Sequence, residues 1–210
     1  EGGNLGMTQL GRVEFGLNGG ATNTDFIDNA AGVDCSDHEV NIKILLNDAV
    51  QAGDMTEKQR NLLLGSMTEE VGHLVLGNNY KQTQALSLAA RKAYERLAEY
   101  RRLMADLEAR GKLDRAIEFL PTEEQLNERV ANKQGLTRAE LSVLISYSKI
   151  DLNEALLASP VPDDVYLTRD METAFPPSLV SKYAEAMRSH RLKREIVSTQ
   201  IANDLVNHMG

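Results

Sequence analysis

The sequence has no tryptophan, only 5% aromatic residues and a single cysteine, Cys35, in 210 residues. With so few rings, the core must be aliphatic. The 42% hydrophobic fraction is ample for one, and Leu, Ala and Met lean towards helix. One cysteine rules out an internal disulfide framework and suits a reducing compartment, so a cytoplasmic location is expected. Long apolar runs are missing, and no signal-peptide pattern follows Glu1, so no membrane partner is expected. Positive charge is in deficit: 23 Lys and Arg against 31 Asp and Glu leave a formal charge of −8, which disfavours non-specific binding to nucleic acid. The histidines are also few. His38, His73, His190 and His208 show no metal-ligand spacing with Cys35 or with one another, and no metal is expected.

Glycine is present but unevenly placed. Eight of the fifteen glycines fall in residues 1–36, and the later ones mostly sit where helices should stop. Two asparagine-bearing, glycine-rich segments lie in that first stretch, Glu1–Thr8 and Asn29–Ser36. As turns, they would let backbone and amide groups approach a ligand closely. Between them, Thr8–Leu17 reads as a helix closed by Asn18-Gly19-Gly20, and Glu1–Leu5 as the end of a strand.

Beyond residue 36 the pattern is helical throughout, about eight or nine helices in the whole chain. Capping-box spacing recurs at Ser36–Glu39, Thr56–Gln59, Thr122–Gln125 and Thr137–Glu140. Thr68 opens a further helix, which Gly77-Asn78-Asn79 is expected to interrupt. The longest predicted helix spans 82–110, with a stripe of Leu86, Ala89, Ala93, Leu97, Tyr100, Met104 and Leu107, and Gly111 as its stop. Pro160-Val161-Pro162 breaks the chain, and Pro176-Pro177 precedes a last helical region with an interruption near Ser189. The Arg188, His190, Arg191, Lys193, Arg194 cluster could bind phosphate, but Glu185 and Glu195 beside it favour a salt-bridged helix face. Cys35 beside His38 suggests a nucleophile less well than it suggests an inert small side chain.

The two early segments resemble the turns near the end of the nucleotide-binding domain in the glutamate dehydrogenase superfamily. Gly3-Asn4 and Thr8 match the first, and Asn29-Ala30-Ala31-Gly32-Val33-Asp34-Cys35-Ser36 the second. Gly3, Gly6 and Ala31 depart from the pattern of the short hexameric enzymes. Segments 34–43, 78–88, 136–141 and 190–196 extend the resemblance, over nearly the whole chain, to the large bacterial NAD-specific glutamate dehydrogenases. What the resemblance implies is a C-terminal fragment of such an enzyme. Its fold would be mainly α: residues 1–36 a short remnant of an α/β nucleotide-binding domain, residues 37–210 a multi-helix C-terminal domain.

By the same resemblance the parent oxidises L-glutamate to 2-oxoglutarate and ammonia with NAD as cofactor, as a homo-oligomer. Asn4 and Asn29 would lie against the cofactor, and Asn29, Val33 and Ser36 against the substrate, with the Ser36 hydroxyl donating to the distal carboxylate. Each has a plainer reading: Asn29 as a left-handed turn residue, Val33 as core, Ser36 as a helix N-cap with Glu39. No catalytic residue is expected in the fragment, because the family's lysine, aspartate and pyrophosphate-binding glycines lie upstream. The sequence has no Gly-x-Gly-x-x-Gly and no lysine before Lys43. The alternative from another class is a non-catalytic helical module for assembly or regulation. An enzyme for apolar amino acids is disfavoured by Ser36, a hydroxyl where an apolar wall would serve.

Overall fold

The computed structural model describes residues 6–209, so Asn4 and the strand expected at Glu1–Leu5 lie outside the described residues. Among the described residues there are eleven α-helices and no strand, in line with a mainly α fold. They are α1 (Gln9–Leu17), α2 (Asp25–Asp28), α3 (Ala30–Gln51), α4 (Glu57–Ser66), α5 (Thr68–Arg91), α6 (Leu97–Ala109), α7 (Glu123–Ala131), α8 (Arg138–Leu157), α9 (Thr168–Glu172), α10 (Pro177–Arg188) and α11 (Lys193–Met209). The two beyond the sequence expectation, α2 and α9, are four and five residues long, too short to show a periodicity. None of the described helices is long and apolar enough to cross a membrane.

The chain divides into two compact units. The first comprises Glu1–Asn29, Lys81–Ile150 and Val206–Gly210. Its core is the predicted stripe: Leu86, Ala89, Ala93, Leu97, Tyr100, Met104 and Leu107 are all buried, packed with Leu126, Leu141 and Leu144. The helix carrying that stripe is nevertheless broken. α5 ends at Arg91, and the chain passes through a turn, with the Ala93 N–H donating to Ala90 O at 3.3 Å, before α6 begins at Leu97. Backbone packs directly on this turn: a Cβ at Gly135 would stand 2.5 Å from the Ala93 carbonyl carbon and the Tyr94 nitrogen. Only a glycine permits that approach. Gly111 (φ +67°) then ends α6, with the Lys112 N–H closing back to Leu107 O at 2.9 Å.

Two buried ion networks organise this unit. Arg12 on α1, 1% exposed, donates to Asp25 Oδ1 (2.5 Å), Asp28 Oδ2 (3.1 Å), Thr22 Oγ1 (3.0 Å) and Asn23 O (3.1 Å), tying α1 to the α2 segment. Glu140, fully buried at the start of α8, takes both guanidinium nitrogens of Arg129 at 2.7 Å. It also accepts from Thr137 N at 2.7 Å, and Thr137 Oγ1 accepts in turn from Glu140 N at 3.3 Å. The capping box predicted at Thr137 is therefore present, and buried. Those at Thr56 and Thr122 form on the surface.

The second unit comprises Ala30–Tyr80 and Asp151–Leu205. Its core joins Ile42, Leu45 and Leu46 of α3 to Met67, Met171, Phe175, Leu179, Met187, Ile196 and Val197. Pro177 sits at the first position of α10, where its missing N–H costs nothing, and Ser189 closes that helix as expected. α5 does not stop at Gly77-Asn78-Asn79; its residues up to Tyr80 belong to this unit.

Candidate functional site

The residues singled out by the sequence lie at and after the start of α3. The segment expected to be a glycine-rich turn is helical from Ala30 onward. Ala30 and Ala31 are strong helix formers and start the helix directly after α2 has ended. Asn29 is the cap of α2, with φ −112° and ψ 23°, and its N–H donates to Asp25 O at 2.9 Å; it is not in the left-handed region. It is half-buried.

Val33 and Ser36 follow on α3, one helical turn apart on the same face. Val33 is 68% exposed and Ser36 is exposed, so the reading of Val33 as core is set aside. So is the reading of Ser36 as an N-cap, because the helix began six residues earlier. Glu39, its would-be capping partner, pairs with Lys43 one turn on.

The opposite face of α3 is held by a polar cluster that sequence reasoning did not find. His38 is buried; its Nδ1 lies 2.9 Å from Ala174 O and its Nε2 3.6 Å from Asp34 Oδ1. Asp34 Oδ2 accepts from Asn78 of α5 at 3.0 Å. The face bearing Val33 and Ser36 is thus presented outward while the Asp34–His38 side is fixed. The only sequence signal was the i, i+4 spacing of Asp34 and His38; Asn78 was hidden in a supposed helix break.

The local field matters for any anionic ligand. The Asp37 carboxyl is held above its usual range, first by partial desolvation, then by the neighbouring Asp34, with His38 pulling the other way. A carboxylate accepting from Ser36 would have Asp37 next to it, and the nearest lysine, Lys43, is engaged by Glu39. The positive charge that a substrate dicarboxylate needs is not supplied by this segment. NAD fares similarly: among the described residues there is no phosphate-cradling glycine turn, and Asn29 offers at most one edge contact. The residues present do not amount to a cofactor site.

The other candidates are absorbed by local structure. Cys35 is exposed, and no cluster of three potential metal ligands occurs among the described residues. The arginines of the basic run are engaged by ion pairs and carbonyls. Arg188 pairs with Glu185 (2.8 Å), Arg191 with Asp48 (2.5 Å) and Arg194 with Asp163, while Arg194 also donates to Leu157 O and Ser159 O. His190 is buried: its Nδ1 accepts from Leu192 N at 3.1 Å and its Nε2 lies 3.1 Å from Asn41 O, which fixes the neutral Nε2–H tautomer.

Residues 1–89 match the family model described as bacterial NAD-glutamate dehydrogenase, catalytic domain, and residues 133–210 that of glutamate dehydrogenase, C-terminal. The chain belongs to the family of bacterial NAD-glutamate dehydrogenases. Over 210 residues it is 81% identical to the NAD-specific glutamate dehydrogenase of Pseudomonas aeruginosa and 58% identical to that of Halomonas elongata. To the NAD-specific glutamate dehydrogenase of Mycobacterium tuberculosis it is 45% identical over 211 aligned positions. All of this chain is covered in each case, but only 13% of each relative. The catalytic-domain match continues to residue 89, through α4 and most of α5.

Proposed function

We propose that this chain is part of a longer NAD-dependent glutamate dehydrogenase that converts L-glutamate and water to 2-oxoglutarate and ammonium. The observation that carries the reading is identity of 81%, 58% and 45% to enzymes of that name across all of this chain. NAD, the cofactor named for such enzymes, would supply the hydride acceptor, held mainly by residues outside this chain. In this reading residues 1–36 are the end of the nucleotide-binding domain and residues 37–210 lead into the helical C-terminal part. Asn4 and Asn29 contact the cofactor, Asn29 and Val33 line the substrate, and the Ser36 hydroxyl donates to its distal carboxylate. Water and proton handling falls to residues outside this chain, as does the cation that offsets Asp37. The parent acts in the cytoplasm as a homo-oligomer.

The test is Ser36→Ala in the full-length enzyme. A hydrogen bond to a charged group contributes about 1.5–3 kcal/mol, so KM for glutamate should rise roughly ten- to hundredfold while KM for NAD barely moves. Because Ser36 caps nothing, stability should stay within about 0.5 kcal/mol. A wild-type glutamate KM would remove Ser36 from the substrate site.

A second reading, that the later helices serve assembly or regulation, is supported by the separate C-terminal family match starting at residue 133. Deleting residues 133–210 from the full-length enzyme and measuring mass and activity decides it. Loss of oligomer or effector response with the active site intact supports the module, and an unchanged enzyme refutes it.

A further inference from the structure

The stretch of α5 expected to break instead carries an exposed apolar face. From Val71 to Tyr80 there is not one Asp, Glu, Lys or Arg, in a sequence with 26% of them. Val71 and Val75 point into the second unit's interior. At 3.6 residues per turn, Gly72, His73, Leu76, Gly77 and Tyr80 then share the other side. Leu76 and Tyr80 are each 68% exposed. Gly72 and Gly77 flank them, and a Cβ added at either would meet nothing within 4 Å. Glycine inside a helix is destabilising, and nothing in this chain requires it at these positions. Two such glycines beside an exposed Leu and Tyr, in a ten-residue stretch without Asp, Glu, Lys or Arg, describe a helix face built for close approach of another backbone.

We propose that this face of α5, Gly72 to Tyr80, docks the remainder of the catalytic domain within the same polypeptide. The inference rests on the proposed parent enzyme. Two findings select that occupant: the catalytic-domain match spans residues 1–89 and so includes this face, and the relatives extend far beyond the 13% that the chain covers. Leu76 and Tyr80 supply the apolar anchors, and the two glycines admit the neighbouring main chain.

Two measurements test this. Leu76→benzoylphenylalanine in the full-length enzyme should photo-crosslink within one polypeptide to the catalytic domain. A link between copies, a link to another region, or no link overturns the proposal. The double variant Gly72→Gln/Gly77→Gln should raise the Tm of the 210-residue chain by about 2–5 °C, from the gain in helix propensity at two sites, and lower that of the full-length enzyme. A rise in both proteins overturns the proposal, as does a fall in the 210-residue chain. Neither measurement reads glutamate turnover, so a negative Ser36 result and a negative docking result remain distinguishable.

Discussion

Replacing Glu140 by glutamine should be among the most damaging conservative changes in this protein. The side chain keeps its volume, so no cavity opens, and the whole effect comes from charge and donor geometry. Glu140 is 0% exposed and its two oxygens take Arg129 at 2.7 Å each, one of them also accepting from Thr137 N and Thr137 Oγ1 at 2.7 and 2.8 Å. A glutamine placed to retain the crowded oxygen must turn its amide N–H₂ towards the other Arg129 nitrogen, donor against donor. Arg129, 7% exposed, would keep a buried positive charge with no anion. Breaking a buried pair from one side costs about 3–5 kcal/mol, which for a domain of this size is roughly 6–20 °C in Tm. Urea and thermal denaturation of the 210-residue chain measure it directly. Arg129→Met with Glu140→Leu should recover much of the loss, because removing both charges removes both desolvation penalties. A single-variant loss below about 1 kcal/mol would refute the reasoning, since it would show that water reaches Arg129.

Further outcomes follow from the same geometry. Burial holds the His190 imidazole below its ordinary pKa, against the pull of its Asn41 contact and of Asp48 and Glu195, with Arg191 acting in the same direction as burial. The unfolded chain therefore takes up this proton first, and the stability His190 contributes is complete above about pH 6.5 and lost as pH falls towards the folded-state value. The urea midpoint should drop between pH 7 and pH 5, and His190→Gln should flatten that part of the profile; an identical profile in the variant would place the effect elsewhere. The purified 210-residue chain should produce no NADH from glutamate, as Asn4 and Asn29 cannot by themselves hold the cofactor; any glutamate-dependent NADH would show a site that the described residues do not reveal.

Much of the fold could be read in the sequence because it was written locally. Thr56, Thr122 and Thr137 start helices where the cap pattern put them, and every member of the Leu86–Leu107 stripe is buried. Caps and i, i+3/i+4 faces depend on neighbours within one turn, so the sequence alone determines them. The family resemblance was carried by ordered segments and needed no structure. What the sequence could not show depended on contacts distant along the chain. The break after Arg91 lies against the backbone at Gly135, more than forty residues later. α5 runs on through Gly77 with Val75 buried and Val71 packed on a core completed by residues near 171–197. Ser36 looked like a cap because its local pattern is a good one, but Ala30 and Ala31 had already begun the helix, and Asp34 and His38 fix it to Asn78 and Ala174. Arg12 with Asp25 and Asp28, and Arg129 with Glu140, were invisible as pairs, because sequence shows charges but not which of them leave water together. Local patterns set where the helices start and which faces are apolar; only tertiary packing decided where they break, which polar groups are buried, and that the Ser36 face is left outward.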